Sequence, residues 1–211
     1  RLLATRVGPV SVIGSDAAAL YGAPLRTFTR LWILCGAHAL FIVDRIESDT
    51  PLRTTWHWLL NNRDGRLDLD LLRPDQLLAR RGDAGLKLRH FGDGALSGPI
   101  YAHVHDLYHP LPAQLGEGRP GSGLLLRFTE AAPSLARTVV HGIALDASAS
   151  VPDWTLAYQE RTYTLAAPDA RERWSLRSSD DGATFALTES VTRQSYALSR
   201  SPAGEWTLTA A

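Results

Sequence analysis

The segment LRTTWHWLLNN, residues 52–62, places one imidazole between two indoles. In an extended strand successive side chains point to opposite faces. Trp56 and Trp58 then share a face with Thr54 and Leu60, while His57 turns away with Arg53, Thr55, Leu59 and Asn61. Two indoles on one face can stack on the apolar C–H side of a pyranose, or they can fill the space between sheets. Core filling is the commoner fate of large aromatic residues and is the expectation for Trp56 and Trp58. The substrate-binding alternative takes in Trp56, His57, Trp58, Asn61, Asn62 and Arg63, because the loop end of a strand can face a cleft.

A second candidate is IYAHVHDLYHP, residues 100–110. Extended, it puts His103 and His105 on one face, with Asp106 and His109 close behind. Imidazoles at that spacing suit zinc. The plainer reading is a polar edge strand that happens to be rich in histidine, and no cysteine strengthens the metal case. Asp68 and Asp70 in GRLDLDLL lie on one strand face and could act as an acid/base pair, or form the wet side of an amphipathic strand. The run GEGRPGSG, residues 116–123, lacks the Gly-Lys-Ser/Thr ending of a phosphate loop. No Gly-x-Ser-x-Gly elbow occurs.

The composition narrows the classes. The 211 residues carry 22 basic and 22 acidic side chains, so nothing favours a polyanionic partner, and nucleic acid is not expected. The longest apolar stretch, Ala37 to Val43, is strand-sized, so no membrane span is expected. Cys35 is the only cysteine. It sits in LWILCG and reads as a buried small hydrophobe. Lys87 is the only lysine, and methionine is absent. The missing methionine predicts a processed product or part of a longer chain.

The elements that must position these residues are strands. RTFTRLWIL (26–34) and HALFIVDRI (38–46), with LRTTWHWLL after the turn ESDTP, predict a three-strand antiparallel meander. Further strands follow at short spacing, separated by GDG, DASASVPD, SSDDG and SPAG. From Trp154 onward the alternation is cleaner, predicting a meander laid over a partner sheet, with residues 139–154 crossing between the halves. Helix signals are confined to RPDQLLARR (73–81, capped at Asp75) and SDAAALYG (15–22). The expected fold is all-β: stacked antiparallel sheets in a β-sandwich-like arrangement, with few or no helices. Residues 1–211 read as a single β-sandwich domain, subdivided near residue 150.

The stretch from Tyr21 to Asn62 resembles a segment of the heparinase II/III-like polysaccharide lyases. The resemblance is carried by Arg30 on one strand, by Phe41-Ile42-Val43-Asp44-Arg45-Ile46 on the next, and by Trp56-His57-Trp58 after a short turn. It implies the C-terminal β-sheet portion of a bacterial, periplasmic enzyme whose upstream part is an α/α toroid and whose substrate is an acidic polysaccharide. It also implies zinc in the parent enzyme. The family's catalytic residues and its zinc motifs do not occur in this sequence, so no catalytic residue and no cofactor is expected in this chain. Asp44 and Arg45 are expected to form a polar edge, or a pair fixing the turn before Thr50. Two other classes compete: a stand-alone carbohydrate-binding β module using the tryptophans, and a small β-sheet metal-binding protein using His103, His105 and His109.

Overall fold

Period-two alternation accounts for most of the chain. The computed structural model describes residues 2–102 and 121–211. In chain order the strands are β1 (Leu2–Val7), β2 (Val10–Asp16), β3 (Leu25–Cys35), β4 (Ala39–Leu52), β5 (Thr55–Asn61), β6 (Asp68–Arg73), β7 (Gln76–Arg81), β8 (Ala84–Phe91) and β9 (Ala95–Ala102). Then come β10 (Gly123–Thr129), β11 (Ser134–Ala147), β12 (Thr155–Gln159), β13 (Thr162–Ala166), β14 (Arg173–Ser178), β15 (Thr184–Glu189), β16 (Gln194–Arg200) and β17 (Trp206–Ala210). One four-residue helix, α1 (Ala18–Tyr21), and one 3-10 turn (Val151–Asp153) are the only helical pieces among the described residues. The chain is all-β, as the turn-punctuated strand pattern requires.

Three antiparallel sheets stack. The central sheet has the order β1-β2-β3-β4-β11-β8-β7-β6. On one face lies the meander β12 to β17; on the other lies the small sheet β5-β10-β9. This explains why β4 does not alternate. Phe41 and Val43 pack toward the meander and Ile42 and Ile46 toward the small sheet, so a strand buried on both faces reads as a continuous apolar run. The meander strands, with one face wet, alternate apolar and polar: Leu165, Trp174, Leu176, Phe185, Leu187 and Leu198 are all essentially buried.

Basic side chains tie the layers together. Lys87 on β8 is buried and donates to the carbonyls of Trp154 (2.7 Å) and Pro152 (2.5 Å). Arg89 donates to the Leu156 carbonyl at 2.8 Å. Lys87 grips the segment that crosses from β11 to the meander, and Arg89 holds the first meander strand, β12. Burial holds the Lys87 ammonium below the usual lysine range. Gly142, at the centre of β11, leaves the room that Phe91 and Leu165 occupy.

Two local expectations are corrected. Residues 73–81 are not helical; they turn at Pro74-Asp75 and run on as β7. Leu77 and Leu78 are adjacent and both buried, one on each face of the central sheet, and pairing with β8 overrides local helix propensity. The three-strand meander also fails at its third member. β3 and β4 pair, but β5 leaves the central sheet and pairs with β10. The apolar face of β5 gains burial by lying across β4 rather than beside it.

Candidate functional site

The space between the central and small sheets holds a polar cluster inside an apolar shell. Arg30 and Asp44 are cross-strand partners on β3 and β4, and Arg30 grips the Asp44 carboxylate with two bonds of 2.7 and 2.6 Å. Asp44 is fully buried. Its Oδ2 also accepts the indole N–H of Trp56, from the small sheet, at 2.6 Å. His141 Nε2 lies 3.8 Å from the same oxygen, too far for a hydrogen bond but close enough for electrostatic contact. His141 and His90 are paired across β11 and β8, their Nδ1 atoms 3.3 Å apart. Both imidazoles are 0% exposed.

The network restricts the tautomers. Only one of two facing Nδ1 atoms can carry the proton. His141 is best placed with its proton on Nε2, facing Asp44, and accepts at Nδ1 from His90. His90 Nε2 is then the unprotonated nitrogen, packed against Gly92 and Gly94, where a Cβ would come within 2.6 and 2.8 Å of it. The His90 ring stacks on Phe128 with centroids 4.8 Å apart. Burial, and the neighbouring His141, push His90 down to about 3; burial likewise lowers His141. For Asp44 burial works upward, but Arg30 and His141 more than offset it and hold the carboxyl below its ordinary range. The cluster is a neutral histidine pair beside a compensated carboxylate. Its carboxylate and both imidazoles are buried while Arg30 is partly exposed, and it anchors the small sheet on the central one.

The sequence candidates separate on this frame. Trp56 is buried and committed to Asp44. Trp58 is half-buried, its ring edge-on to His141 at 5.2 Å, and its indole N–H has no acceptor among the described residues. His57 is exposed on the opposite face, in register with Arg127 of β10. Asn61 is exposed and accepts the Arg63 backbone N–H at 3.0 Å. Asn62 is a loop clamp: it accepts from Leu67 N at 2.9 Å and donates to Gly121 O at 3.0 Å. Arg63 is half-buried in the same loop. Asp68 and Asp70 both accept from Arg80, at 2.7 and 2.6 Å. Cys35 is buried and its thiol is pushed well up. His103, His105 and His109 lie outside the described residues.

The expectation that Asp44 and Arg45 form a polar edge is corrected. Asp44 lies at the centre of the inter-sheet layer, because β4 runs between two sheets. Arg45 faces the meander side, donating to Glu47 at 2.7 Å and to the Asp181 carbonyl at 2.9 Å. His90 and His141 were not singled out from the sequence. They stand 51 residues apart in unremarkable strands, and no spacing signal links them. Among the described residues no group of three metal-binding side chains converges. Asp44 is spent on Arg30 and Trp56, and the two imidazoles face each other, so this donor set does not suit a zinc ion.

The stacked antiparallel sheets are a fold found in polysaccharide lyases. The heparan sulfate lyase HepC from Pedobacter heparinus, in mutant form, superposes with a TM-score of 0.55 at 11% identity, over 100% of this chain and 27% of that one. A heparinase III crystal structure matches with a TM-score of 0.55 at 10% identity, over 100% of this chain and 27% of its own. The matched part is the C-terminal portion of those proteins. The chain therefore spans 27% of the length of the solved structures it matches. No protein-family model matches the sequence, and no curated protein does.

Proposed function

We propose that residues 1–211 are the C-terminal β-sandwich portion of a heparinase II/III-like polysaccharide lyase, and that they support β-elimination of a uronic-acid-containing polysaccharide by the parent enzyme. The observation that carries this reading is the match of the whole chain, end to end, to the C-terminal portion of heparinase III structures. β-Elimination needs a base for the C5 proton and a group to neutralise the adjacent carboxylate. In this chain the two inter-sheet imidazoles are sealed from any polymer. On this reading the base comes from the upstream α/α toroid and any zinc is held by the parent's other parts, because the family's catalytic and zinc motifs do not occur in this sequence. This portion contributes a rigid wall. Its accessible groups on and after β5, His57, Asn61 and Arg63, meet the anionic chain, while Trp56, Trp58 and Asn62 hold them in place. The enzyme works outside the cytoplasm, where such polymers are found.

The test compares the parent enzyme, the parent truncated before residue 1, and the isolated chain on heparan sulfate, following ultraviolet absorbance of the unsaturated uronate product. Activity is expected from the parent only. Full activity in the truncated parent overturns the supporting role. Activity in the isolated chain overturns the assignment of the base to the toroid.

A further inference from the structure

A cleft of about 680 Å³ opens between the central sheet and the meander at the β2–β3 and β16–β17 end, within the range of roughly 300–1,000 Å³ typical of small-molecule sites. Its walls continue the core-facing rows of both sheets. On β16 and β17 the buried pair Leu198 and Leu208 is followed by the pair Arg200 and Trp206. On β2 and β3 the apolar rows ending at Val12 and Leu31 are followed by Gly14, Asp16 and Thr29. Along these four strands the inward positions thus change from apolar to polar or small as they reach the cleft. Gly14 removes a side chain from the wall, since a Cβ there would strike Leu31.

The charged and aromatic groups that line the cleft are Arg26, Arg200, Asp16, Glu205 and Trp206, a mixed set that can take both the hydroxyls and the carboxylate of a sugar acid. Trp206 is half-buried and stacks on Phe185; an indole in a cleft wall is a surface for the apolar side of a pyranose. The Arg200 guanidinium lies over Gly204, where a Cβ would come within 3.2 Å of Nη2. Its Nε is buried and has no hydrogen-bond partner among the described residues. A planar guanidinium in the cleft wall fits a carboxylate through its Nη edge. Among the described residues the hydrogen bonds to Asp16 fall on Oδ1, from Ala18 N and Phe28 N, which leaves Oδ2 to accept a hydroxyl. Arg26, at the rim, makes an exposed pair with Asp49.

We infer that this inter-sheet cleft binds one sugar ring bearing a carboxylate, with the ring on Trp206, the carboxylate on Arg200 and a hydroxyl on Asp16. The choice of a uronate rests on the function proposed above; the cleft itself does not. The site lies at the opposite sheet pair from β5, so it is a second contact for the polymer or a seat for a released product.

The experiment uses the purified 211-residue chain with glucuronic acid, and with glucose as the ring lacking the carboxylate, read by saturation-transfer NMR and calorimetry. Glucuronic acid is expected to bind once per chain, at least tenfold tighter than glucose. Arg200→Gln should abolish that preference, Trp206→Ala should abolish binding of both, and Val191→Ala, exposed in the β15–β16 turn and outside the cleft, should change nothing. If Trp206→Ala does not fold, Arg200→Gln decides. Absence of glucuronic acid binding to the folded chain, or binding unchanged by Arg200→Gln, overturns the inference. If the truncated parent keeps full activity while the chain still binds glucuronic acid, the proposed function falls and the cleft stands.

Discussion

Trp56 and Asp44 belong to different sheets, yet the indole N–H of one donates to the carboxylate of the other at 2.6 Å. That bond, together with the Arg30 fork on the same carboxylate, is a buried polar link between the small and central sheets. Its removal tests how the layers are held. Trp56→Phe keeps an aromatic ring and loses the donor, and should cost about 1–3 kcal/mol. Asp44→Ala strips both Arg30 and Trp56 of their acceptor and should cost more, about 3–5 kcal/mol. Urea unfolding midpoints measure both; a smaller loss for Asp44→Ala would contradict the central position of this carboxylate.

Acid should loosen the same layer. The His90 pKa falls from an ordinary 6.5 to about 3 on folding, so between those values the unfolded chain binds a proton that the folded chain refuses. Stability is then full above pH 6.5 and declines as pH falls toward 3, by an amount on the order of 4 kcal/mol. The lowered Asp44 carboxyl adds to the loss at the acid end, as pH drops through its folded value. Chemical denaturation at a series of pH values should show this slope, and His90→Phe should flatten it between pH 6 and 4. An unchanged slope in His90→Phe would assign the acid sensitivity elsewhere.

Lys87 supplies a label-based test of the crossing segment. It is the sole lysine, and its ammonium is spent on the carbonyls of Pro152 and Trp154. An amine-reactive ester should modify the native chain at the α-amino group, leaving Lys87 slower by roughly tenfold or more until the chain opens locally. Peptide mass spectrometry in buffer and in urea would show the difference. Rapid native modification of Lys87 would mean that the grip on residues 152–154 does not persist in solution.

Gly142→Ala probes the contact between the central sheet and the meander. The added Cβ would meet Phe91 at 2.7 Å and Leu165 at 2.8 Å, both held within packed strands. Overpacking of this kind costs about 1–3 kcal/mol, readable as a lowered melting temperature with the strand-rich circular dichroism spectrum retained. A variant as stable as the parent chain would show that this interface yields easily.

How much of this was legible before the coordinates can be judged from particular segments. Most of the meander from Trp154 onward could be read from its one wet face and from the turns at 167–172, 179–183 and 201–205, but WTLAYQERTYTLA reads as one strand and is broken into β12 and β13 by a turn at Glu160-Arg161 that carries no Gly, Asp or Pro. Residues 73–81 could not, since their pattern suits a short helix equally well and only the ladder with β8 separates the two. The face assignments of Trp56 and His57 follow from alternation along a single strand, which is local information. The partner of β5 is not local: β4 is near in sequence, but β10 lies more than 60 residues further on.

The sequence by itself determined the class, all-β and antiparallel, and which side chains of each strand share a face. Those properties follow from backbone geometry and neighbouring residues. Only the tertiary structure decided that Asp44 is buried, that His90 meets His141, and that Arg200, Trp206, Gly14 and Asp16 line one cleft. Each of these depends on the register between strands far apart in the chain and on which sheet covers which face. Burial, and with it the charge state of a histidine or carboxylate, is the sum of contacts from several distant segments, and no single stretch of sequence contains that sum.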